Sequence, residues 1–169
     1  MKKRKSVIKR AIFEKIEKSL REAGFQIERS DLERPWGGFF VIAENQSAAF
    51  AEKYFPGLPE ADLIGGRKVS PKILIVAPEK RLSWQYHLRR AEVWRVLEGP
   101  VAVAKSDTDE QQSPQTYRPG EVIVLQCGER HRLIGLDNIG VVAEIWQHIE
   151  PAHPSDENDI VRLQDDFGR

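Results

Sequence analysis

Seven short apolar runs, separated by residues that favour turns, constrain the fold of this chain more than any other feature. They are rich in β-branched and aromatic residues and lie at positions 39–43, 73–76, 93–97, 101–104, 122–125, 133–136 and 141–146. Turn signals between them include residues 35–38, 99–100 and 119–120. Short strands at this spacing are typical of antiparallel β-sandwiches and barrels. The sequence therefore predicts an all-β domain.

The N-terminal segment has a helical pattern instead. Between residues 6 and 23, apolar side chains recur at every fourth position, namely Ile8, Ile12, Ile16 and Leu20. Gly24 is a natural stop for a helix. We expect an amphipathic helix that covers a barrel face or a dimer seam. The predicted organisation is an N-terminal helical extension (residues 1–30) and a β-barrel (residues 31–169) within one structural domain.

Composition argues against several classes of partner. The 26 basic and 26 acidic residues give a formal net charge of +0, so no global charge indicates a nucleic-acid or membrane partner. Residues 2–5 form a basic tip that suits an anionic partner, although a solvated terminus is the commoner outcome. Charged residues follow this tip, so a signal peptide and a membrane span are not expected. The single Cys127 has no disulfide partner in the chain, which favours a reducing compartment and an inert buried thiol. We expect a cytoplasmic protein.

Three side chains able to bind a metal lie close together in the sequence. If residues 83–87 form a strand, its alternation puts Gln85 and His87 on one face. After a turn at residues 88–91, Glu92 begins the next strand. One hairpin would then supply three ligands.

A second segment adds one more imidazole. The strand at residues 122–125 is followed by a turn at Gly128 and a further strand that starts at His131. Two hairpins would thus bring together four ligands, with room for water or substrate. Such a donor set is typical of catalytic metal centres, because structural zinc sites are usually closed and rich in cysteine.

These spacings resemble the two motifs of the cupin superfamily, G-x5-H-x-H-x3/4-E-x6-G and G-x5-P-x-G-x2-H-x3-N. The matching residues are His87, Glu92 and Gly99 in the first motif, with Gln85 at the position of its first histidine, and Gly120, Gly128 and His131 in the second. The sequence departs from the motifs at four positions, Glu79, Gln85, Gln126 and Gly135. The resemblance implies a cupin double-stranded β-helix, which is a jelly-roll barrel, with the predicted helix at its N-terminus.

A finer resemblance is to the cupin domain of type II mannose-6-phosphate isomerases, and it spans residues 34–169. The matching segments are residues 34–37, 72–78, 83–87, 89–94, 158–162 and 166–169. Arg89 and Val93 stand where histidines are usual, and residues 45–70 differ from the family core. The resemblance implies one divalent metal held by Gln85, His87, Glu92 and His131. Zinc suits this mixed nitrogen and oxygen donor set best, and manganese, iron or nickel can occupy the same ligands.

The resemblance also implies a function, which is metal-dependent aldose–ketose isomerisation of a phosphorylated sugar through an enediol. The catalytic residues would be Arg169, Lys72 and Glu144, with Glu144 as a base whose pKa is raised by burial. The substrate-binding residues would be Arg34, Trp36, Arg81 and Arg90, since basic side chains bind phosphate. His148 and His153 lie in a polar tail, and we expect both to be exposed to solvent.

Two other functions stay open at this point. The first is a metal-dependent cupin oxygenase that acts on a small organic substrate, although Gln85 counts against the fuller histidine set usual there. The second is a non-catalytic sugar-binding or sensing cupin that contacts a partner through its basic tip. A homodimer is an expectation by analogy alone.

Overall fold

The computed structural model describes residues 2–169, with side chains from Val7 onward, so the side chains of the basic tip lie outside the described residues. The chain begins with helix α1 (Lys2–Glu22), strand β1 (Ile27–Asp31), strand β2 (Gly37–Ile42), a 3-10 helix (Glu44–Gln46) and helices α2 (Ser47–Tyr54) and α3 (Glu60–Leu63). It continues with strands β3 (Val69–Val76), β4 (Trp84–Tyr86), β5 (Arg90–Glu98), β6 (Val101–Ser106), β7 (Gln115–Tyr117), β8 (Val122–Leu125), β9 (Arg130–Gly135), β10 (Gly140–His148) and β11 (Val161–Gln164). Within the described part of the chain, no helix is both long and apolar enough to cross a membrane.

The strands form two antiparallel sheets that face each other. One has the order β1-β2-β3-β10-β5-β8, and the other has the order β11-β4-β9-β6-β7. Each of the seven apolar runs overlaps a strand. The predicted all-β jelly-roll barrel with an N-terminal helix is therefore confirmed.

The first sheet is buried on both faces. Its inner face contributes Phe39, Leu74, Trp94 and Val142 to a core between the sheets. Its outer face contributes Phe40, Ile73, Val93 and Ala143 to a second core beneath the helices. Strand alternation produces this division, because neighbouring residues of a strand point to opposite faces. The second core explains why these strands have continuous apolar runs.

Helix α1 lies on this outer face. A barrel face was one of the two positions predicted for this helix, and a dimer seam was the other. Phe13 packs edge-on against Phe40, with ring centroids 6.2 Å apart, and Leu20 is buried. However, Ile8 is 50% exposed, so the predicted stripe does not coincide with the buried face. Val7, one residue earlier, is 67% exposed as well.

The prediction of two ligand-bearing hairpins was wrong. Strand β4 pairs with β9 and β11, whereas β5 pairs with β10 and β8. The connections from β4 to β5 and from β8 to β9 therefore cross from one sheet to the other. The spacing of the motifs describes this crossover as well as it describes a tight hairpin, so sequence alone did not distinguish them.

Three strands were not predicted, namely β1, β7 and β11. Each lies at the edge of a sheet, and β1 spans the boundary predicted between residues 30 and 31. An edge strand pairs on one side only and can carry polar residues, which also discourage pairing with other chains. The sequences IERSD, QTY and VRLQ therefore lack the apolar signal of a buried strand.

Gly37 shows how closely β2 approaches β3. Its φ is +152°, and a Cβ atom there would lie 1.8 Å from the carbonyl oxygen of Ile75. Only glycine fits this position, which follows Trp36 directly. The close approach fixes Trp36 on the wall of the inner core.

Leucine substitutions test the packing of helix α1. Leu20 is 1% exposed and Leu88 is 64% exposed, so the same change removes buried contacts at one site only. We expect Leu20→Ala to lower the free energy of unfolding by about 2–5 kcal/mol and Leu88→Ala to lower it by less than about 0.5 kcal/mol. Urea denaturation measures both. Similar losses in the two variants would show that α1 is not packed on the sheet.

Candidate metal centre

His87, Glu92 and His131 converge inside the barrel from different strands. His87 follows the end of β4, Glu92 lies on β5, and His131 lies on β9. Their ligand atoms all lie within 4.8 Å of one another, and all three side chains are buried. Glu92 Oε1 lies 3.2 Å from His87 Nε2, and Glu92 Oε2 lies 3.6 Å from His131 Nε2. The two sheets therefore face each other across these three residues.

Both imidazoles are oriented by backbone carbonyl groups. His87 Nδ1 lies 2.7 Å from the carbonyl oxygen of Asp159, and His131 Nδ1 lies 2.9 Å from that of Glu129. A carbonyl oxygen only accepts, so each Nδ1 carries the proton and each Nε2 carries a lone pair. This is the usual arrangement of metal-binding histidines, whose second nitrogen donates to the backbone.

The Nε2 atom of His131 is buried and has no hydrogen-bond partner among the described residues. Two lone pairs and a carboxylate facing one another repel unless a cation lies between them. The donor set, two neutral imidazoles and one carboxylate, is one that a divalent metal binds. The residues present therefore fit a metal centre.

Arg90 partly compensates the charge of Glu92. Its Nε donates to Glu92 Oε1 at 2.7 Å, and its Nη2 donates to His87 Nε2 at 3.2 Å. Arginine only donates, which independently identifies His87 Nε2 as an acceptor. The guanidinium also stacks on Trp146 at 3.6 Å from the ring centroid. Arg90 thus covers one side of Glu92 and leaves the side toward His131 without a cation.

Burial keeps both histidines neutral. It lowers the pKa of His87 to about 4, against the opposing charge of Glu92, and it also lowers the pKa of His131. Burial alone would raise the pKa of Glu92, but the neighbouring His87, Arg90 and His131 hold that pKa well below its usual range. Near neutral pH the group therefore presents two lone pairs and one negative charge, which is the state that binds metal.

Gln85 is the fourth predicted ligand, and it lies beside the other three. Its backbone pairs with that of His131 between β4 and β9. Its Oε1 accepts a short hydrogen bond from the Ser83 hydroxyl group. An amide oxygen has two lone pairs, so this bond leaves one for a metal. Its role as a ligand stays a prediction.

A pocket between the sheets reaches this group at Gln85 and Glu92. Glu144 lies on the pocket wall and is 3% exposed. Both of its oxygens accept indole N–H groups, from Trp94 at 2.8 Å and from Trp146 at 2.7 Å. Burial, together with the nearby negative charge of Glu92, raises the pKa of Glu144 to about 8, against the opposing positive charges of Lys72 and Arg90. The prediction of an inward-facing carboxyl group with a raised pKa agrees with this geometry.

Most of the predicted basic residues also line this pocket, and each has a carboxylate partner. Lys72 lies 2.9 Å from Glu157, Arg34 lies 2.9 Å from Asp31, and Arg169 lies 2.9 Å from Asp165. The pocket wall includes Trp36 as well. Acidic neighbours therefore hold these cations in position at the pocket.

Arg81 lies elsewhere. Its guanidinium forms two bonds to Asp166, at 2.7 and 2.9 Å, and it is absent from the pocket lining of the described residues. A substrate-binding role for Arg81 stays a prediction from the resemblance.

Two charged residues that line the pocket, Glu157 and Arg162, were not predicted from the sequence. The same is true of Asp159, whose carbonyl orients His87 and whose carboxylate accepts the backbone N–H groups of Leu88 and Arg89 at 2.9 and 3.0 Å. The signal was present, because residues 158–162 were matched to the family but were assigned no role.

Two expectations about individual side chains were wrong. His148 is buried, because residues after β10 fold back and the Ser155 N–H donates to its Nδ1 at 2.9 Å. Cys127 is exposed, because it lies in the turn between β8 and β9 rather than in a strand. The exposed position of His153 agrees with the prediction.

Comparisons with known proteins agree with the barrel and its motifs. The sequence model of a family described as "Mannose-6-phosphate isomerase C-terminal" matches residues 61–165. No curated protein matches the sequence.

Several solved structures are similar to part of this chain. The 7S globulin of Momordica charantia is 20% identical, with a TM-score of 0.53, over 76% of this chain and 34% of that one. Vicilin from Solanum lycopersicum (tomato) is 19% identical, with a TM-score of 0.53, over 75% and 33%. A recombinant oxalate oxidase in complex with glycolate is 19% identical, with a TM-score of 0.47, over 56% and 46%. The matches cover about a third to a half of those chains. The likeness to the globulin and the vicilin concerns the fold alone.

Histidine substitutions test the metal centre. We expect His131→Ala to lose stoichiometric metal, because it removes one of the two lone pairs that face Glu92. His153→Ala is the matched control, since His153 is exposed and outside the pocket. Elemental analysis of the purified proteins measures the metal content. Retention of metal by His131→Ala, or equal loss in both variants, would contradict this assignment.

The lowered pKa of His87 predicts how the stability of the metal-free protein depends on pH. The pKa of His87 is about 4 in the folded chain and ~6.5 in the unfolded chain. Between these values the unfolded chain binds more protons, so the free energy of unfolding falls as the pH falls, by on the order of 3 kcal/mol in full. Urea denaturation of metal-stripped protein at two pH values across this window measures the loss. The free energy of unfolding of His87→Gln should fall less over the same pH window. The same pH dependence in that variant as in the unsubstituted protein would contradict the lowered pKa of His87.

Proposed function

The chain belongs to the family of mannose-6-phosphate isomerase C-terminal domains, and we propose that it is a metal-dependent aldose–ketose isomerase that acts on a phosphorylated sugar. The proposal rests on one geometric observation. A carboxyl group, Glu144, and the candidate metal ligand Glu92 accept the same indole N–H of Trp94, at 2.8 and 3.1 Å. A group able to transfer protons therefore lies next to a group able to bind a metal.

Isomerisation needs both of these groups. A proton must leave the carbon beside the carbonyl group of the sugar and return to the former carbonyl carbon, while negative charge develops on the carbonyl oxygen. That oxygen gains a proton, and the neighbouring hydroxyl group loses one and becomes the new carbonyl group. Glu144 can hold that proton, because a pKa of about 8 keeps its two protonation states close in free energy near neutral pH. The indoles of Trp94 and Trp146 fix the orientation of its carboxyl group.

When bound, a divalent metal supplies Lewis-acid chemistry here, which is polarisation of a carbonyl oxygen and stabilisation of its negative charge. We propose that His87, Glu92, His131 and Gln85 hold the metal. Zinc is the first candidate, since the donors are mixed nitrogen and oxygen, with manganese, iron and nickel as the others.

The basic residues of the pocket suit a phosphorylated substrate. Lys72 is buried between the rings of Phe39 and Trp146, at 4.4 and 4.5 Å from their centroids, and it faces Glu144 across the pairing of β3 with β10. We propose that Lys72 and Arg169 orient the substrate and neutralise its charge. The cytoplasmic location and the homodimer stay predictions from the sequence.

A screen of sugar phosphates tests the reaction. We expect the metal-loaded protein to interconvert an aldose phosphate and its ketose among mannose, fructose, glucose and heptose phosphates. Glu144→Gln should keep its metal and lose about 10²–10⁴-fold in kcat, because it removes the group that moves the proton. Arg169→Ala should likewise keep the metal and lose turnover.

Nuclear magnetic resonance of the sugar carbons measures conversion, and elemental analysis measures metal. Glu110→Gln is a matched control on the exposed surface. Conversion of none of these sugars by metal-loaded protein would contradict the proposed reaction. Full turnover by Glu144→Gln would show that Glu144 is not the base.

A further inference from the structure

The indole of Trp36 is a buried donor without an acceptor. Trp36 is 5% exposed, and its Nε1 makes no hydrogen bond with the residues that the structure describes. The other tryptophans differ, since Trp84 donates to a backbone carbonyl and Trp94 and Trp146 donate to Glu144. Burying such a donor without an acceptor destabilises a fold. Trp36 lines the pocket, so an oxygen atom of a bound molecule can serve as its acceptor.

Arg162 is an unpaired, solvent-exposed cation that lines the same pocket. It lies on β11, where its backbone pairs with that of Gln85, and it lines the pocket together with Ile160, two residues earlier. Within the described part of the chain its guanidinium has neither a hydrogen bond nor an ion pair. This distinguishes Arg162 from Arg34, Lys72, Arg90 and Arg169, each of which has a carboxylate partner.

The neighbours of Arg162 increase its need for an anion. The positive charges of Arg169 and Arg34 lie near Arg162, as do the negative charges of Asp165 and Glu157. The carboxylates nearby are already bonded to other cations, Asp165 to Arg169 and Glu157 to Lys72. A guanidinium in such surroundings has five donors free for a ligand.

We propose that Arg162 and Trp36 form the subsite that binds the phosphate group of the substrate. A guanidinium binds a phosphate through two parallel hydrogen bonds, and the indole N–H supplies one further donor. This proposal rests on the proposed function in one respect, which is that the phosphate group belongs to a phosphorylated sugar. Arg162 acts as a specificity-determining residue, because it holds the part of the substrate that does not react.

Substitutions of Arg162 and Trp36 test the subsite, with inorganic phosphate as the probe. Calorimetric titration of the metal-loaded, full-length protein measures its affinity. We expect Arg162→Gln to weaken phosphate binding at least tenfold and Trp36→Phe to weaken it about threefold. Arg118→Gln is the matched control, because Arg118 is exposed and outside the pocket lining. It removes the same charge, and we expect its affinity to stay within twofold of that of the unsubstituted protein.

Two results of this titration would overturn the proposal. One is unchanged phosphate affinity in Arg162→Gln, and the other is an equal loss in Arg118→Gln, which would reveal only a non-specific effect of net charge. Because the Arg162 side chain has no hydrogen bond or ion pair with the described residues, Arg162→Gln should keep the melting temperature of the unsubstituted protein, so weaker binding does not reflect unfolding.

Kinetics separate this subsite from the proposed reaction. With a sugar phosphate that is converted, Arg162→Gln should raise KM at least tenfold with little change in kcat, since binding of a distant group is lost. Conversion with an unchanged KM overturns the subsite and leaves the isomerase intact. Phosphate binding that depends on Arg162, without conversion of any sugar phosphate, supports the subsite and overturns the reaction.

Discussion

Three acceptor groups face one another inside the barrel, and the chemistry of the site depends on that arrangement. Backbone carbonyls hold the Nε2 lone pairs of His87 and His131 toward the carboxylate of Glu92. Neutral imidazoles cannot stabilise a carboxylate through lone pairs, so the group needs a cation. Arg90 supplies positive charge on the side of His87 only. The side toward His131 keeps an unpartnered nitrogen, and a divalent metal is the cation that these donors suit.

The segment between β10 and β11 fixes this arrangement from outside the sheets. Asp159 binds the turn that follows His87 through two backbone N–H groups, and its own carboxylate is held by Ser155 at 2.6 Å. Arg90 donates to Ser155 Oγ at 2.8 Å as well as to Glu92. The same segment continues to Arg162, so the orientation of the candidate metal ligands and the proposed recognition of the substrate depend on one piece of chain. This connection explains why a polar tail is an ordered part of the site.

Sequence patterns predicted an all-β domain and brought His87, Glu92 and His131 together, because strand patterns and ligand spacing are local properties, whereas Gln85 as a fourth ligand stays a prediction. Sequence reasoning did not predict which strands pair, since a crossover between sheets and a hairpin need similar spacing. It mistook His148 for a solvent-exposed residue, because burial there comes from a polar segment that folds back over β10. Arg162 and Asp159 were overlooked for a related reason, since an edge strand and a loop lack periodic apolar residues that would draw attention to them.

A crystal structure of the metal-loaded protein, with anomalous scattering at the absorption edge of the bound metal, tests the central claim most directly. The account predicts one ion about 2 Å from His87 Nε2, His131 Nε2 and a carboxylate oxygen of Glu92. It also predicts that both Nδ1 atoms stay bonded to the carbonyl groups of Asp159 and Glu129. An ion bound elsewhere, or none beside these three side chains in protein that contains stoichiometric metal, would contradict it.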